Sequence, residues 1–91
     1  MQLRWTEEAA NDLERIADYL LTHAPDRAPE LVRAVYDAPS ALLTFPKRGR
    51  QGKKEGTREL VLSPLPYIVV YVVRGDLIHV VRILHGAQKW P

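Results

Sequence analysis

The residues whose types could do chemistry are concentrated in one segment of the 91-residue sequence, residues 47–58. This basic segment holds six cations against a single carboxylate, whereas residues 1–30 carry three arginines against seven carboxylates. Three of the six cations are arginines, whose guanidinium groups can grip a phosphate or carboxylate with two hydrogen bonds. The segment therefore predicts a polyanionic or acidic partner, and its alternative interpretation is a solubilising loop. The cations are Lys47, Arg48, Arg50, Lys53, Lys54 and Arg58.

Other kinds of site find little support in the sequence. Cysteine is absent, which excludes a disulfide scaffold, an iron–sulfur cluster, a thiolate zinc site and a catalytic thiol. The three histidines, His23, His79 and His85, are far apart and lack a supporting carboxylate pattern, so no metal site is predicted. Dinucleotide and P-loop fingerprints are also missing. We therefore expect no cofactor.

Length and composition limit the class of protein. A chain of 91 residues with 46% apolar and 26% charged residues predicts one domain, residues 1–91, with a single core. Its longest apolar run is far shorter than the roughly 18–20 residues of a membrane span, and no signal peptide is recognisable at its start. We expect a cytoplasmic protein with no membrane partner.

The first elements are an N-terminal strand and an amphipathic helix. Residues 2–5 alternate polar and apolar side chains, which predicts a short strand. Thr6 is the expected N-cap of the helix, since Glu7 and Glu8 follow it. Apolar residues then recur every three or four positions, which indicates an amphipathic helix of about 16 residues. Pro25 ends it, because the residue before a proline avoids helical geometry.

A second helix should pack against the first as a hairpin. Asp26 is its expected N-cap, and Pro39 should kink or break it near residues 37–39 because proline lacks an N–H group. Phe45 and Pro46 should end it. Residues 47–56 contain three glycines and no aliphatic residue, which predicts a mobile surface loop.

Three strands complete the predicted fold. Residues 57–62 alternate, residues 67–73 are apolar on both faces and should form a central strand, and residues 77–84 return after a tight turn at 74–76. The fold class is α+β: an N-terminal strand, an α-helical hairpin packed on one sheet face, and a three-stranded antiparallel β-meander. The N-terminal strand should join the edge of the meander.

Five stretches of the sequence stand out in a fixed order: Trp5-Thr6-x-x-Ala9-x-x-Asp12-Leu13, Phe45-Pro46-x-x-Gly49-Arg50, Gly56-Thr57-Arg58-Glu59-Leu60, Tyr67-x-Val69-x-Tyr71 and Val81-Arg82-Ile83-Leu84-His85-Gly86. Together they resemble the RelE/ParE superfamily of type II toxin–antitoxin toxins, and they are closer to its ParE-like branch. The resemblance covers nearly the whole chain.

The resemblance implies a toxin that inhibits growth by binding DNA gyrase and is neutralised by a cognate, acidic antitoxin in a hetero-oligomer. Trp90 can anchor a partner, since tryptophan is favoured in binding hot spots, or it can close the core over the sheet. The expected partner-binding residues are Lys47, Arg48, Arg50, Lys53, Lys54, Arg58 and Trp90.

The alternative that the resemblance leaves open is a RelE-like mRNA endonuclease acting on the ribosome. Metal-independent RNA cleavage needs an acid, a base and cations for the phosphorane. His85 is the candidate acid or base, and Arg58 and Arg82 are the candidate charge stabilisers, supported by Lys53 and Lys54. Tyr71 is a further candidate, although its place in an apolar strand favours packing.

Two features favour a toxin that is not an enzyme. Strand parity groups Arg82 with Val80 and Leu84, and His85 with Ile83, so Arg82 and His85 should point to opposite faces unless the strand bends. The residues after His85 lack the basic and tyrosine-containing tail of RelE-like nucleases, and His85 can equally be structural or bind a partner. A small nucleic-acid-binding domain, or a toxin without remaining activity, is a third possibility.

Overall fold

Two helices lie on one five-stranded sheet in the computed structural model, which describes residues 1–86 and 88–91. In chain order, the elements are β1 (Gln2–Trp5), α1 (Glu7–His23), α2 (Ala28–Asp37), a 3₁₀ helix (Ala38–Leu43), β2 (Arg50–Gln51), β3 (Arg58–Val61), β4 (Tyr67–Arg74) and β5 (Leu77–His85). The predicted α+β class and order of elements are confirmed.

The sheet has the strand order β1-β5-β4-β3-β2. β1 pairs in parallel with β5, and all other neighbours are antiparallel. As predicted, the N-terminal strand joins the edge of the meander and β4 is central. Val69, Val70 and Tyr71 of β4 are fully buried, as expected for a strand that is apolar on both faces.

The helices follow their local signals with one exception. Thr6 caps α1, because its Oγ1 accepts a hydrogen bond from the Ala9 N–H at 3.1 Å. The predicted Asp26 cap of α2 is wrong: Arg27 occupies the N-cap position, and no side chain caps that end. Pro39 lies in the 3₁₀ helix, where the α-helix ends as predicted. In the described part of the chain, no helix has the length and apolar character needed to cross a membrane.

Residues 47–56 were predicted to be a mobile loop, and this is wrong for part of the segment. Arg50 and Gln51 form β2, which pairs antiparallel with Glu59 and Arg58. The sheet therefore has one more strand than the predicted meander and N-terminal strand together. This strand depends on a partner seven to nine residues further along the chain, so the short glycine-rich stretch gives no local signal for it.

The core lies between the helices and one face of the sheet. The main cluster joins α1 and α2 to β4 and β5, and a smaller one joins the 3₁₀ helix to the same strands. The main cluster consists of Ala9, Val35, Tyr67, Val69, Val80 and Ile83, and the smaller cluster consists of Leu42, Tyr71 and Ile78.

A β-bulge in β5 changes which side chains face the helices. The register passes from Tyr71 opposite Val80 directly to Val70 opposite Arg82, which leaves Val81 as the extra residue. Val80 and Ile83 therefore both reach the core, although simple alternation would separate them. Arg82 and His85 still hold register positions on opposite faces, as predicted, but Val80 no longer shares a face with Arg82.

Candidate functional site

A buried carboxylate on α1 organises the first group of charges. The Asp12 side chain is only 3% exposed and accepts four hydrogen bonds. Two come from Arg82, from Nε at 2.7 Å and Nη2 at 3.2 Å, and one comes from the Ile83 backbone N–H at 2.9 Å. Arg15 supplies the fourth. We call Glu8, Asp12, Arg15 and Arg82 the Asp12 cluster.

Arg82 is held in this cluster by charge and by hydrogen bonds. Its Nη1 lies 3.1 Å from Glu8, and its side chain is 17% exposed. The hydrogen bonds that Arg82 donates to Asp12 raise the pKa of Arg82 above its usual range, against the opposing effect of burial. The guanidinium is therefore a permanent cation that two carboxylates already engage.

The cluster forms where β5 runs past the end of β1. Trp5, the last residue of β1, lies opposite Val80. Beyond that point Thr6 donates to the carbonyl oxygens of Val80 and Val81, and Asp12 accepts from the Ile83 N–H. The cap residue Thr6, through its N–H and its hydroxyl, and the Asp12 side chain thus satisfy backbone groups of β5 that another strand would otherwise pair.

His85 lies at the exposed end of β5, next to a buried tyrosine. Its ring meets Tyr67 edge to face, with centroids 6.1 Å apart. Burial, with a smaller contribution from Tyr19, raises the pKa of Tyr67, so this phenol stays protonated further into the alkaline range than an exposed tyrosine. Both rings line a cavity of about 530 Å³ whose wall includes Asp12.

The arginines of the basic segment hold its backbone on the sheet. Arg50 donates from Nε and Nη2 to Oε1 of buried Glu59, at 3.1 and 3.0 Å. The other oxygen of Glu59 accepts from the Lys53 N–H at 3.3 Å. Arg58 donates from Nη1 to the carbonyl oxygens of Gly49 and Lys47, at 2.8 and 3.4 Å.

A buried tyrosine of β4 holds the same segment through its hydroxyl group. The Tyr71 hydroxyl donates to the Pro46 carbonyl at 2.7 Å and accepts from the Gly49 N–H at 2.9 Å. Glycine is required at position 49, because a Cβ there would lie 2.8 Å from the Glu59 carbonyl oxygen and from the Tyr71 ring. Tyr71 is therefore a packing residue, as its apolar strand favoured, and its hydroxyl also positions the loop that contains Pro46 and Gly49.

The other predicted partner-binding residues remain accessible. Within the described residues, no hydrogen bond or ion pair holds the exposed side chains of Lys47, Arg48, Lys53 and Lys54. Trp90 is half-buried and lines a cavity of about 570 Å³ with Lys54 and Arg82. Trp90, Lys54 and Arg82 therefore lie together on one surface.

The three residues predicted for nuclease chemistry do not meet at one centre. Arg58 pairs with Tyr71 of β4, and His85 pairs with Tyr67, two strands away from Arg58. With about 3.3 Å per residue and about 4.8 Å between strands, their Cα atoms lie about 16 Å apart. Arg82 lies on β5, three residues before His85, and its guanidinium turns to α1. Among the described residues, no group of histidines and carboxylates could hold a metal ion.

Sequence reasoning missed Asp12 and Glu59 as organising residues. Asp12 follows Ala9 by three positions and precedes Ile16 by four. That spacing places it on the buried face, so a carboxylate there should have signalled a buried partner. Glu59 offered a weaker signal, as a lone acid next to the apolar residues of a predicted strand.

Comparisons with known proteins agree with this fold over nearly the whole chain. A family model described as the ParE toxin of the type II toxin–antitoxin system, parDE, matches residues 3–90. A chain in the structure of the chromosomal ParDE system from P. aeruginosa has a TM-score of 0.86 and 30% identity, covering 93% of this chain and 95% of that one. The protein HP0894 from Helicobacter pylori shares the fold alone, at a TM-score of 0.52 and 19% identity, covering 97% of each chain.

Two relatives carry toxin names. Y4kP of Sinorhizobium fredii, named as a candidate toxin, is 37% identical over 90 residues, which is 99% of this chain and 93% of the relative. Toxin RelE2 of Caulobacter vibrioides is 38% identical over 87 residues, or 96% of this chain and 97% of the relative. Fold and relatives define the class as a type II toxin of the RelE/ParE superfamily. Within that class, the chain belongs to the ParE toxin family.

Proposed function

We propose that this chain is the toxin of a ParDE-type module, that it inhibits growth by binding DNA gyrase in the cytoplasm, and that a cognate acidic antitoxin neutralises it. The family match over residues 3–90 is the main support, together with the likeness to a chain of the P. aeruginosa ParDE system. Target binding and neutralisation are both surface functions, and they need no catalytic centre.

The placement of the nuclease candidates favours binding over RNA cleavage. Arg82 is engaged by Asp12 and Glu8, so stabilising a phosphorane would require breaking a buried ion pair. Arg58 holds two backbone carbonyls of the basic segment. The Cα atoms of His85 and Arg58 are about 16 Å apart, so the two could share one phosphate only with both side chains extended towards it and with Arg58 released from those carbonyls.

Two surfaces suit an antitoxin. The exposed lysines and Arg48 of the basic segment match acidic side chains in charge. A groove of about 710 Å³ between α1 and α2 is apolar, and Leu21 and Tyr36 on its walls are more than half exposed. An amphipathic helix with acidic flanks would cover such a groove with its apolar side.

Pulse expression in growing cells tests the target. We expect DNA breaks covalently linked to gyrase to accumulate, and we expect mapped mRNA 5′ ends to stay unchanged. The His85→Ala variant should remain toxic, because His85 has no catalytic task in this proposal. Codon-linked mRNA cuts that disappear in His85→Ala would instead support the ribosome-dependent endonuclease and overturn the gyrase proposal.

Co-expression with the product of the neighbouring gene tests neutralisation. We expect an acidic protein that co-purifies with the toxin and restores growth. The double variant Lys53→Glu and Lys54→Glu should weaken the complex, whereas the matched reversal Arg4→Glu, at the opposite edge of the sheet, should not. Equal weakening by both variants would speak against a specific role for the basic segment.

A further inference from the structure

Phe45 is an exposed aromatic residue beside two exposed cations. At 61%, it has the largest exposed fraction of any large apolar side chain in the described part of the protein. Lys47 and Arg48 follow it, and these residues line an open hollow of about 680 Å³ with Thr44 and Pro46. We call Phe45, Lys47 and Arg48 the Phe45 platform.

The backbone of this platform is fixed although its side chains are exposed. The Phe45 N–H donates to the Ala41 carbonyl, and the Phe45 carbonyl accepts from the Arg48 N–H, both at 3.1 Å. The next carbonyl, that of Pro46, accepts from the fully buried Tyr71 hydroxyl. Arg58 holds the carbonyls of Lys47 and Gly49. Because these bonds already order the backbone around Phe45, binding through its exposed ring would cost little further backbone entropy.

We propose that the Phe45 platform binds single-stranded nucleic acid, with one base stacked on Phe45 and the flanking phosphates on Lys47 and Arg48. Exposed aromatic rings next to cations are the usual means of holding single strands, because every base has a π-face and every linkage has a charge. An acidic peptide would satisfy the cations but would offer no planar base to the ring. A duplex would satisfy the cations too, but its base faces are already stacked.

The proposal does not rest on gyrase as the target, because it concerns the purified chain and a nucleic acid alone. The probe is a fluorescein-labelled oligothymidylate of about twelve nucleotides, a length within the usual span of one single-strand site, and anisotropy reports its binding at low salt. We expect Phe45→Ala to weaken binding by roughly tenfold or more, and Phe45→Trp to retain it, because stacking needs an aromatic face. Lys47→Ala should reduce the slope of log K against log salt by about 0.7, the value for one lost phosphate contact on a single strand.

Matched variants separate stacking from general charge and fold. Leu43→Ala removes another exposed apolar side chain close in sequence, and Arg4→Ala removes one exposed cation at the opposite edge of the sheet. Both should bind the oligonucleotide as the unmodified chain does. Thermal unfolding of each variant shows that the fold is intact.

Further probes identify the source of the ligand. An oligouridylate of equal length shows whether RNA binds as DNA does, and Phe45-dependent binding of either strand supports the proposal. Unchanged affinity in Phe45→Ala, or no binding to either single strand, would overturn it. If Phe45→Ala weakened the binding of polyglutamate or duplex DNA as strongly as it weakens the binding of single strands, the proposal would also be overturned, since neither ligand offers a free base to the ring.

Discussion

The Asp12 cluster and the basic segment both concentrate charge, but they differ in how they use it. In the Asp12 cluster, carboxylates and guanidinium groups meet in pairs, and the central carboxylate is 3% exposed. In the basic segment, Arg50 and Arg58 bind the protein itself, while lysines and Arg48 remain exposed to solvent. The first region joins elements from opposite ends of the chain, and the second presents a surface.

The contrast shows that residue type alone does not assign a charged residue to binding or to structure. Arg50 and Arg48 are two positions apart and were predicted to act alike, yet one holds a buried glutamate and the other does not. The distinction lies in the partner: a cation opposite a buried acid is structural, and a cation without one is available to a ligand.

The largest effect that would test this contrast is expected from Asp12→Ala. Removing the carboxylate leaves Arg82 largely buried without its main partner and the Ile83 N–H without an acceptor. We expect a loss of about 3–5 kcal/mol in the free energy of unfolding, the usual result of breaking a buried ion pair. Urea unfolding measures it, with Asp18→Ala as the control on the exposed face of the same helix. Equal stability of the two variants would break the distinction between the regions.

Gly49→Ala tests whether the basic segment is anchored as firmly as the cluster. The added methyl group would meet a backbone oxygen and the buried Tyr71 ring at 2.8 Å, so we expect a loss of about 1–3 kcal/mol from overpacking. Gly86→Ala is the control, since its nearest contact is an ordinary 3.6 Å. Chemical denaturation of both variants compares them, and a neutral Gly49→Ala would mean that the loop can move away.

Arg50→Ala and Arg48→Ala sharpen the contrast within the basic segment. Arg50→Ala leaves the buried Glu59 carboxylate short of two hydrogen bonds, and we expect a loss of about 1–2 kcal/mol. Arg48→Ala should change stability by less than about 0.5 kcal/mol, as at other exposed sites. Thermal unfolding of the pair measures the difference. A larger loss in Arg48→Ala would reverse the assignment.

The smallest effect concerns alkaline pH and lies outside both regions. Because burial raises the pKa of Tyr67, the native state keeps a proton that the unfolded chain releases above about pH 10, its ordinary value. Stability should therefore fall as the pH rises from there towards the higher native pKa. Tyr67→Phe should make this fall less steep, and Tyr36→Phe, at an exposed position, is the control. Denaturant midpoints between about pH 9 and 11 give the slopes, and a Tyr67→Phe slope equal to that of the unmodified chain would contradict the assignment.

Local patterns predicted the elements whose causes are local. The cap and first turn of α1, the end of α2 near Pro39 and the apolar central strand all depend on neighbours within a few residues. The same is true of the turn at Gly75, whose φ of +59° suits glycine. These features were visible in the sequence because each is stabilised close to where it is encoded.

What sequence reasoning missed depends on distant partners. Asp12 receives three of its four hydrogen bonds from Arg82 and Ile83, about seventy residues away. β2 exists because Glu59 and Arg58 pair with it, and the bulge at Val81 has no counterpart in residue type. The sequence shows the cations of the basic segment together, but which of them are structural and which are exposed depends on their partners in the fold.

The parallel pairing of β1 with β5, reinforced by the bonds of Asp12 to Arg82 and Ile83, has a consequence for synthesis of the protein. A nascent chain that ends before residue 82 lacks the β5 partners of Asp12, and one that ends before residue 77 leaves the first strand unpaired as well. We expect the early segments to stay open to proteases until translation has delivered the closing strand. A toxin built in this way would reach its folded structure only after β5 has been synthesised.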